Sequence, residues 1–65
     1  MPSNTFPNYL IRERTRLRLT QAELAKEIGV SKSAVSKWEI GALEPRPLTQ
    51  VAIEAMLRDI KVNKR

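Results

Sequence analysis

The 65-residue sequence contains neither cysteine nor histidine. Without cysteine there is no disulfide framework and no thiolate metal site, and without histidine a zinc site or a catalytic triad lacks its usual ligand or base. No glycine-rich loop is present to hold a phosphate group, and the seven carboxylates are scattered along a chain too short to form a pocket around them. We therefore expect no enzyme and no cofactor.

Long hydrophobic runs are also missing. No window approaches the roughly 18 apolar residues of a membrane-spanning helix, and the first ten residues lack the charged-then-apolar order of a secretion signal. We expect a soluble, cytoplasmic protein without a membrane partner. A chain of 65 residues forms at most one domain, residues 1–65, with a thin hydrophobic core.

Negative charge and aromatic side chains are scarce. Seven Asp and Glu oppose twelve Lys and Arg, which gives a formal net charge of +5 and favours a polyanionic partner. One Trp, one Tyr and one Phe offer little platform for stacking the bases of RNA. Charge alone does not separate DNA-binding domains from other small basic domains. The positions of the charged residues are therefore needed to tell the two classes apart.

Residues 20–41 carry the signals of two short helices joined by a tight turn. Thr20 and Glu23 have the T-x-x-E spacing of a capping box, and Gly29 supplies the positive φ often needed just past a helix end. The apolar stripe of the first helix consists of Leu24, Ala25 and Ile28. Helices of eight or nine residues are too short to be stable alone, so both must pack on the rest of the chain.

The second of these helices has two distinct sides. Ser31 is its expected N-cap, and Gly41 ends it in the same way as Gly29 ends the first. Val35 and Trp38 lie three residues apart and are predicted to face inward. The other side carries Lys32, Ser33, Ser36 and Lys37. Such a face can serve solvation alone, or it can enter the major groove of DNA, which admits one α-helix.

The run L-x-L-T-Q-A-E-L-A-x-x-I-G-V-S-x-x-x-V-S-x-W-E-x-G, from Leu17 to Gly41, resembles the phage-repressor-like helix-turn-helix family of the Cro/repressor or XRE type. The resemblance implies a compact all-α, lambda-repressor-like domain. With one helix predicted before the motif and one after it, we expect four helices, a short N-terminal arm and a C-terminal tail. It also implies a DNA-binding transcription regulator, commonly a dimer. The pattern P-x-P-x-x-x-x-A-x-E-x-M-L near the end is similar to short phage-associated autorepressors.

The motif indicates which residues contact DNA. In the family a glutamine at the position of Gln21 touches phosphate and supports the reading helix, although Gln21 can also be a solvent-facing helix former. Hydroxyls at the two N-caps are placed to meet phosphate, and the amides near residues 40–43 flank the groove end of the reading helix. Arg46, which also flanks that end, can reach phosphate or a narrow minor groove. The expected DNA-binding residues are Thr20, Gln21, Ser31, Lys32, Ser33, Ser36, Lys37 and Arg46.

The first helix is predicted from Pro7 to Arg18, and its inward stripe contains an arginine. Arg14 falls on the same side as Leu10 and Leu17, where the period calls for an apolar residue. A buried cation needs a partner, and Glu39 at the inner edge of the reading helix is the obvious one. The resemblance implies the same structural ion pair between the first and third helices.

The last helix is predicted from Pro47 to Ile60, and it has two apolar stripes where a surface helix needs one. The predicted core stripe consists of Leu48, Val51, Ala52, Ala55 and Met56. The predicted dimer interface consists of Ile53, Leu57 and Ile60, because the charged tail KVNKR is too short to cover it. Leu43, in the preceding connection, is predicted to enter the core.

Two functions fit the sequence. The first is a dimeric repressor that binds a pseudo-palindromic operator in double-stranded DNA with half-sites about one helical turn apart. The second is a protein-interaction module, such as an antitoxin or adaptor, that docks a partner through its C-terminal apolar helix. A homodimer at micromolar concentration favours the first, and a chain that becomes stable only with a partner favours the second.

Overall fold

Four helices and no strand make up residues 5–62, the part of the chain that the computed structural model describes. Their bounds are α1 Thr5–Arg16, α2 Gln21–Ile28, α3 Lys32–Glu39 and α4 Pro47–Asp59. The predicted all-α, four-helix fold is confirmed. The N-terminal arm was expected over residues 1–6, but residues 5 and 6 belong to α1. Residues 1–4 and the end of the expected tail, residues 63–65, lie outside the described residues. None of the helices in residues 5–62 is long and apolar enough to cross a membrane.

Helix α1 begins two residues before the predicted Pro7. Proline is tolerated in the first turn because the N–H groups there have no partner within the helix. Phe6 is therefore helical and buried, and its ring meets that of Trp38 edge-on with the centroids 6.4 Å apart. This contact fixes the start of α1 against α3.

The three helices that precede α4 end in similar left-handed turns. Helix α1 stops at Arg16, two residues earlier than predicted, because Arg18 adopts a φ of 59°. The N–H of Arg18 donates to the Thr15 carbonyl at 3.0 Å and that of Leu19 to the Arg14 carbonyl at 3.1 Å, which is a Schellman motif. Helices α2 and α3 end with positive φ at the two glycines, 29 and 41, as predicted.

The predicted N-caps are present on both motif helices. The Thr20 hydroxyl accepts from the Glu23 N–H at 3.1 Å, and the Glu23 carboxylate accepts from the Thr20 N–H at 2.8 Å, which completes the capping box. At the start of α3 the Ser31 hydroxyl accepts from the Ala34 N–H at 3.0 Å. These bonds fix where α2 and α3 begin, and therefore which side chains of α3 face outward.

The hydrophobic core receives side chains from all four helices and from the turn before α2. Its buried members are Phe6, Leu10, Leu17, Leu19, Leu24, Ala25, Ile28, Val35, Trp38, Ile53 and Leu57. Helix α3 packs mainly against α2 and α1, while α4 contributes only two buried side chains. The pair α2 and α3 is thus supported by α1 and α4, and one side of α4 is left exposed.

The structure corrects the assignment of the two α4 stripes. Ile53 and Leu57 are 2% and 1% exposed, and Ile60 packs against the same core, so this predicted dimer interface lies inside the domain. The predicted core stripe faces outward instead, with Leu48 81% and Val51 60% exposed. Both stripes are apolar and helically spaced, so the sequence pattern could not tell which one packs on α2.

The connection between α3 and α4 also differs from the prediction. Leu43 is half exposed and does not enter the core, and Ile40 at the end of α3 is 74% exposed. Pro45 is buried in this connection, and its carbonyl accepts from the Gln50 side-chain amide at 2.8 Å. The chain therefore enters α4 through a fixed turn without using Leu43 as an anchor.

Candidate nucleic-acid interface

Helix α3 separates its side chains as the motif requires. Val35 is fully buried, and Trp38 and Glu39 are nearly so. On the opposite side Lys32 and Lys37 are exposed. Of the serines between them, Ser33 is exposed and Ser36 is half-buried. We call Lys32, Ser33, Ser36 and Lys37 the outer face of α3; it offers two cations and two hydroxyls to a ligand.

The position of this outer face depends on a buried carboxylate. Glu39 Oε2 accepts from Arg14 Nε at 2.6 Å, and Glu39 Oε1 accepts from Arg14 Nη2 at 3.2 Å and from Gln21 Nε2 at 3.0 Å. Arg14 Nη1 also donates to the Leu19 carbonyl at 3.0 Å. Three helices thus meet at the Glu39 side chain, and Arg14 links them to the turn before α2. The sequence predicted the Arg14 and Glu39 pair, but it gave no signal for the Leu19 carbonyl.

The side chain of Gln21 points inward, towards Glu39. One N–H of its amide is used by Glu39, and the residue is half-buried at the first position of α2. A primary amide has two N–H donors, so one remains for another acceptor. The arrangement gives Gln21 the supporting role that the resemblance implies, and it leaves one donor near the start of α2.

The two N-cap hydroxyls are exposed and only partly used. Thr20 and Ser31 each accept one backbone N–H through the side-chain oxygen, and a hydroxyl can still donate its own hydrogen. The first backbone amides of a helix have no acceptor within it, so both N-termini present donors and partial positive charge. Each N-terminus is therefore suited to an anionic oxygen such as that of phosphate.

The backbone amides that follow α3 all have acceptors within the chain. The N–H of Ile40 donates to the Ser36 carbonyl, and that of Gly41 donates to the Trp38 carbonyl. The N–H groups of Ala42 and Leu43 both donate to the Lys37 carbonyl, at 2.9 and 3.3 Å. These four amides close the end of α3. The amides expected to flank the groove end of this helix therefore donate within the chain.

Arg46 lies at the N-cap of α4, where it is exposed and makes no side-chain capping bond. Its guanidinium is held by none of the hydrogen bonds or ion pairs within residues 5–62. An exposed guanidinium at a helix start is placed to meet an anion from solvent, because it adds a full charge to the positive end of the helix.

Two clefts within residues 5–62 lie away from the outer face of α3. One, of about 350 Å³, is lined by Tyr9, Glu13, Arg16, Glu54 and Arg58. Burial raises the pKa of Tyr9 above its ordinary value of 10.0, and the neighbouring carboxylates raise it further. No group of three or more carboxylates within residues 5–62 is placed to hold a metal ion. The outer face of α3 lines neither of these clefts.

A family model described as helix-turn-helix matches residues 10–62, from the middle of α1 through the end of α4. No curated protein and no solved structure matches the chain significantly. The match covers most of the 65 residues, and the capped helices and their tight turn fall inside it. The chain therefore belongs to the helix-turn-helix family of the Cro/repressor (XRE) type, with a lambda-repressor-like fold, and is a DNA-binding transcription regulator.

Proposed function

We propose that this protein is a sequence-specific repressor, of phage or prokaryotic type, that binds a pseudo-palindromic operator as a homodimer. Residues 1–65 act as one domain, and α3 reads the major groove. The observation that carries the proposal is the exposure of the basic outer face of α3 opposite its buried Val35 and Trp38.

The dimensions of α3 suit this role. An α-helix with its side chains is about 10–12 Å across, which matches the width of the major groove, about 12 Å. The eight residues of α3 extend for about 12 Å along its axis. Lys32 and Lys37 can donate to guanine O6 and N7, while the short serines contact bases at close approach or through water. The contacts of the reading helix thus supply sequence preference.

Phosphate contacts fix the position of the helix on the duplex. Thr20, Gln21 and Ser31 present donors at the N-termini of α2 and α3, and Arg46 contributes one further cation. Phosphate contacts carry no sequence information, but they set register and supply most of the salt-dependent affinity. The net charge of +5 assists association with DNA in the cytoplasm.

Repression follows from occupancy. Two copies related by a two-fold axis read two half-sites about one helical turn apart, and a bound dimer blocks access of polymerase to an overlapping promoter. The buried contacts of α3 hold the reading helix rigid before it meets DNA, so little ordering energy is lost on binding.

Selection of bound duplexes from a random DNA pool tests this proposal, since it reports the motif, its symmetry and the half-site spacing together. We expect an inverted repeat. The double variant Lys32→Ala, Lys37→Ala should enrich no motif. The control Lys26→Ala, Lys61→Ala removes the same charge from exposed positions off α3 and should enrich the wild-type motif. Equal loss in both variants would mean that net charge alone drives binding.

A protein-interaction module is the second candidate, and the uncovered apolar side of α4 favours it. In that case α4 docks a different protein, as an antitoxin or adaptor does. Enrichment of no sequence by the wild-type protein, together with a monomeric state at high concentration, would support this candidate over the repressor.

A further inference from the structure

Helix α4 exposes a continuous stripe that the fold leaves uncovered. Its members are Leu48, Val51, Ala52, Ala55, Met56 and Asp59, all exposed. The stripe lies on the side of α4 away from the buried Ile53 and Leu57. Within residues 5–62, four of the seven large exposed hydrophobic residues fall between residues 40 and 51, so the exposed apolar surface there is concentrated near the start of α4.

The spacing of this stripe, which we call the α4 stripe, is the same in both directions. The intervals between successive members are three, one, three, one and three residues, with the midpoint between Ala52 and Ala55. A helix with such a pattern fits a second copy of itself running the opposite way. Val51 then faces Met56 of the other copy, and the alanines face each other at the centre, where small side chains allow the helices to approach closely.

We infer that two copies of this chain associate through antiparallel pairing of their α4 stripes about a two-fold axis near Ala52 and Ala55. The inference rests on the proposed function and supplies its missing part, the surface that joins the two copies. It also replaces the interface predicted from sequence, whose residues fill the core. A two-fold contact is isologous, so the same residues of both copies form it.

Charge favours the antiparallel direction. Asp59 lies at the C-terminal end of α4, where a carboxylate opposes the helix dipole, and it pairs with no cation within residues 5–62. The first turn of α4 has no acidic residue, and no side chain caps it. Antiparallel pairing brings each Asp59 to this positive end of the other copy. Parallel pairing instead places the two Asp59 carboxylates side by side.

The contact is small, because it uses one helix from each copy. Helix α4 has 13 residues and is about 20 Å long. A standard interface takes about 800 Å² from each partner, roughly one sixth of the 4686 Å² accessible surface of this chain. A single helix pair lies at the low end of that range. We therefore expect a dimer with a Kd in the micromolar range, which tightens when both copies are bound to one operator.

Sedimentation equilibrium of the full chain without DNA gives the first test. Val51→Glu places a charge in the middle of the α4 stripe and should raise the dimer Kd at least about tenfold. Thr15→Glu adds the same charge to an exposed position on α1, outside the α4 stripe, and should change the Kd by less than about twofold. Circular dichroism should show both variants folded, since both positions are exposed.

Engineered cysteines give the direction of the pairing, because the chain has none of its own. In the antiparallel pair the two Leu48 positions are about 16 Å apart along the axis, too far for a disulfide, whereas Leu48 faces Asp59 of the other copy. Leu48→Cys alone should therefore not crosslink under oxidation. A mixture of Leu48→Cys and Asp59→Cys chains should crosslink. Self-crosslinking of Leu48→Cys would overturn the antiparallel direction.

Failure of this inference is distinguishable from failure of the proposed function. A wild-type chain that stays monomeric at about 500 μM, or dimers unaffected by Val51→Glu, would overturn the α4 contact. If such a chain still enriches a sequence from the random pool, DNA binding stands without it. If Val51→Glu breaks the dimer and the wild-type chain enriches no sequence, the α4 contact stands and the DNA-reading function does not.

Discussion

Arg14 on α1 and Glu39 on α3 form a two-point ion pair, with Nε 2.6 Å from Oε2 and Nη2 3.2 Å from Oε1. The Glu39 side chain is 4% exposed and that of Arg14 is 22% exposed. The same carboxylate also accepts from Gln21 on α2. The pair therefore orients the end of the reading helix against both of the helices that support it.

Glu39→Gln should destabilise the domain. The substitution leaves the Arg14 guanidinium largely buried with only the Leu19 carbonyl and a neutral amide as acceptors. Breaking a fully buried pair costs about 3–5 kcal/mol, and the partial exposure of Arg14 reduces the expected loss to roughly 2–3 kcal/mol. Urea unfolding followed by Trp38 fluorescence measures this change.

Glu13→Gln is the matched control for that measurement. It removes the same charge from a pair at the surface, where Glu13 accepts from Arg16 at 2.8 Å and the Arg16 side chain is 53% exposed. Surface pairs contribute about 0–1 kcal/mol, so its free energy of unfolding should stay within that range of wild type. Equal effects of the two variants would show that Arg14 and Glu39 are not a stabilising pair.

Thr20→Ala should weaken both stability and DNA binding. The substitution removes the acceptor for the Glu23 N–H, which costs about 1 kcal/mol, and it removes the hydroxyl expected to donate to phosphate. Glu23→Ala is the comparison, because it breaks the other half of the capping box without touching the hydroxyl. It should lower stability but not affinity in a fluorescence-anisotropy titration. If Thr20→Ala binds as tightly as wild type, Thr20 acts only as a cap.

Lys37→Ala should relax sequence preference. Lys37 is exposed on the outer face of α3, and one lost base contact reduces discrimination at that base pair by about 1–3 kcal/mol. Competition binding with operators altered one base pair at a time measures the change. Lys26→Ala removes an exposed lysine from α2 and should leave every preference intact. A uniform loss across all operators would assign Lys37 to phosphate instead.

The single tyrosine should titrate above pH 10. Burial raises the pKa of Tyr9, as do Glu13 and Glu54 beside it, while Arg58 and Arg12 oppose the shift. The folded chain therefore holds the phenol proton more tightly than the unfolded chain. This contribution to stability is complete below pH 10.0 and is lost as pH rises through the folded-state pKa.

Ultraviolet titration of tyrosinate measures this shift without ambiguity, since the chain has one tyrosine. Glu13→Gln should lower the pKa of Tyr9 towards its ordinary value. Glu27→Gln, at an exposed position outside the Tyr9 cleft, should leave it unchanged. A Tyr9 pKa at its ordinary value in the wild-type chain would mean that the cleft does not bury the phenol.

The sequence by itself determined the elements whose signals are local. The capping box at Thr20, the N-cap at Ser31 and the left-handed turns at the two glycines depend on residues a few positions apart, so their spacing identifies them. The inward side of α3 was also predictable, because Val35 and Trp38 contrast with a polar opposite side. The Arg14 and Glu39 pair followed from a charge on an otherwise apolar stripe.

Tertiary structure alone decided the rest. The early end of α1 depends on Arg18 adopting a conformation that favours glycine, which its residue type does not signal. The supporting bond from Gln21 to Glu39 requires two helices to be in place. Most of all, α4 carries two apolar stripes of equal quality, and only its packing against α2 determines that Ile53 and Leu57 are buried while Leu48 and Val51 face solvent.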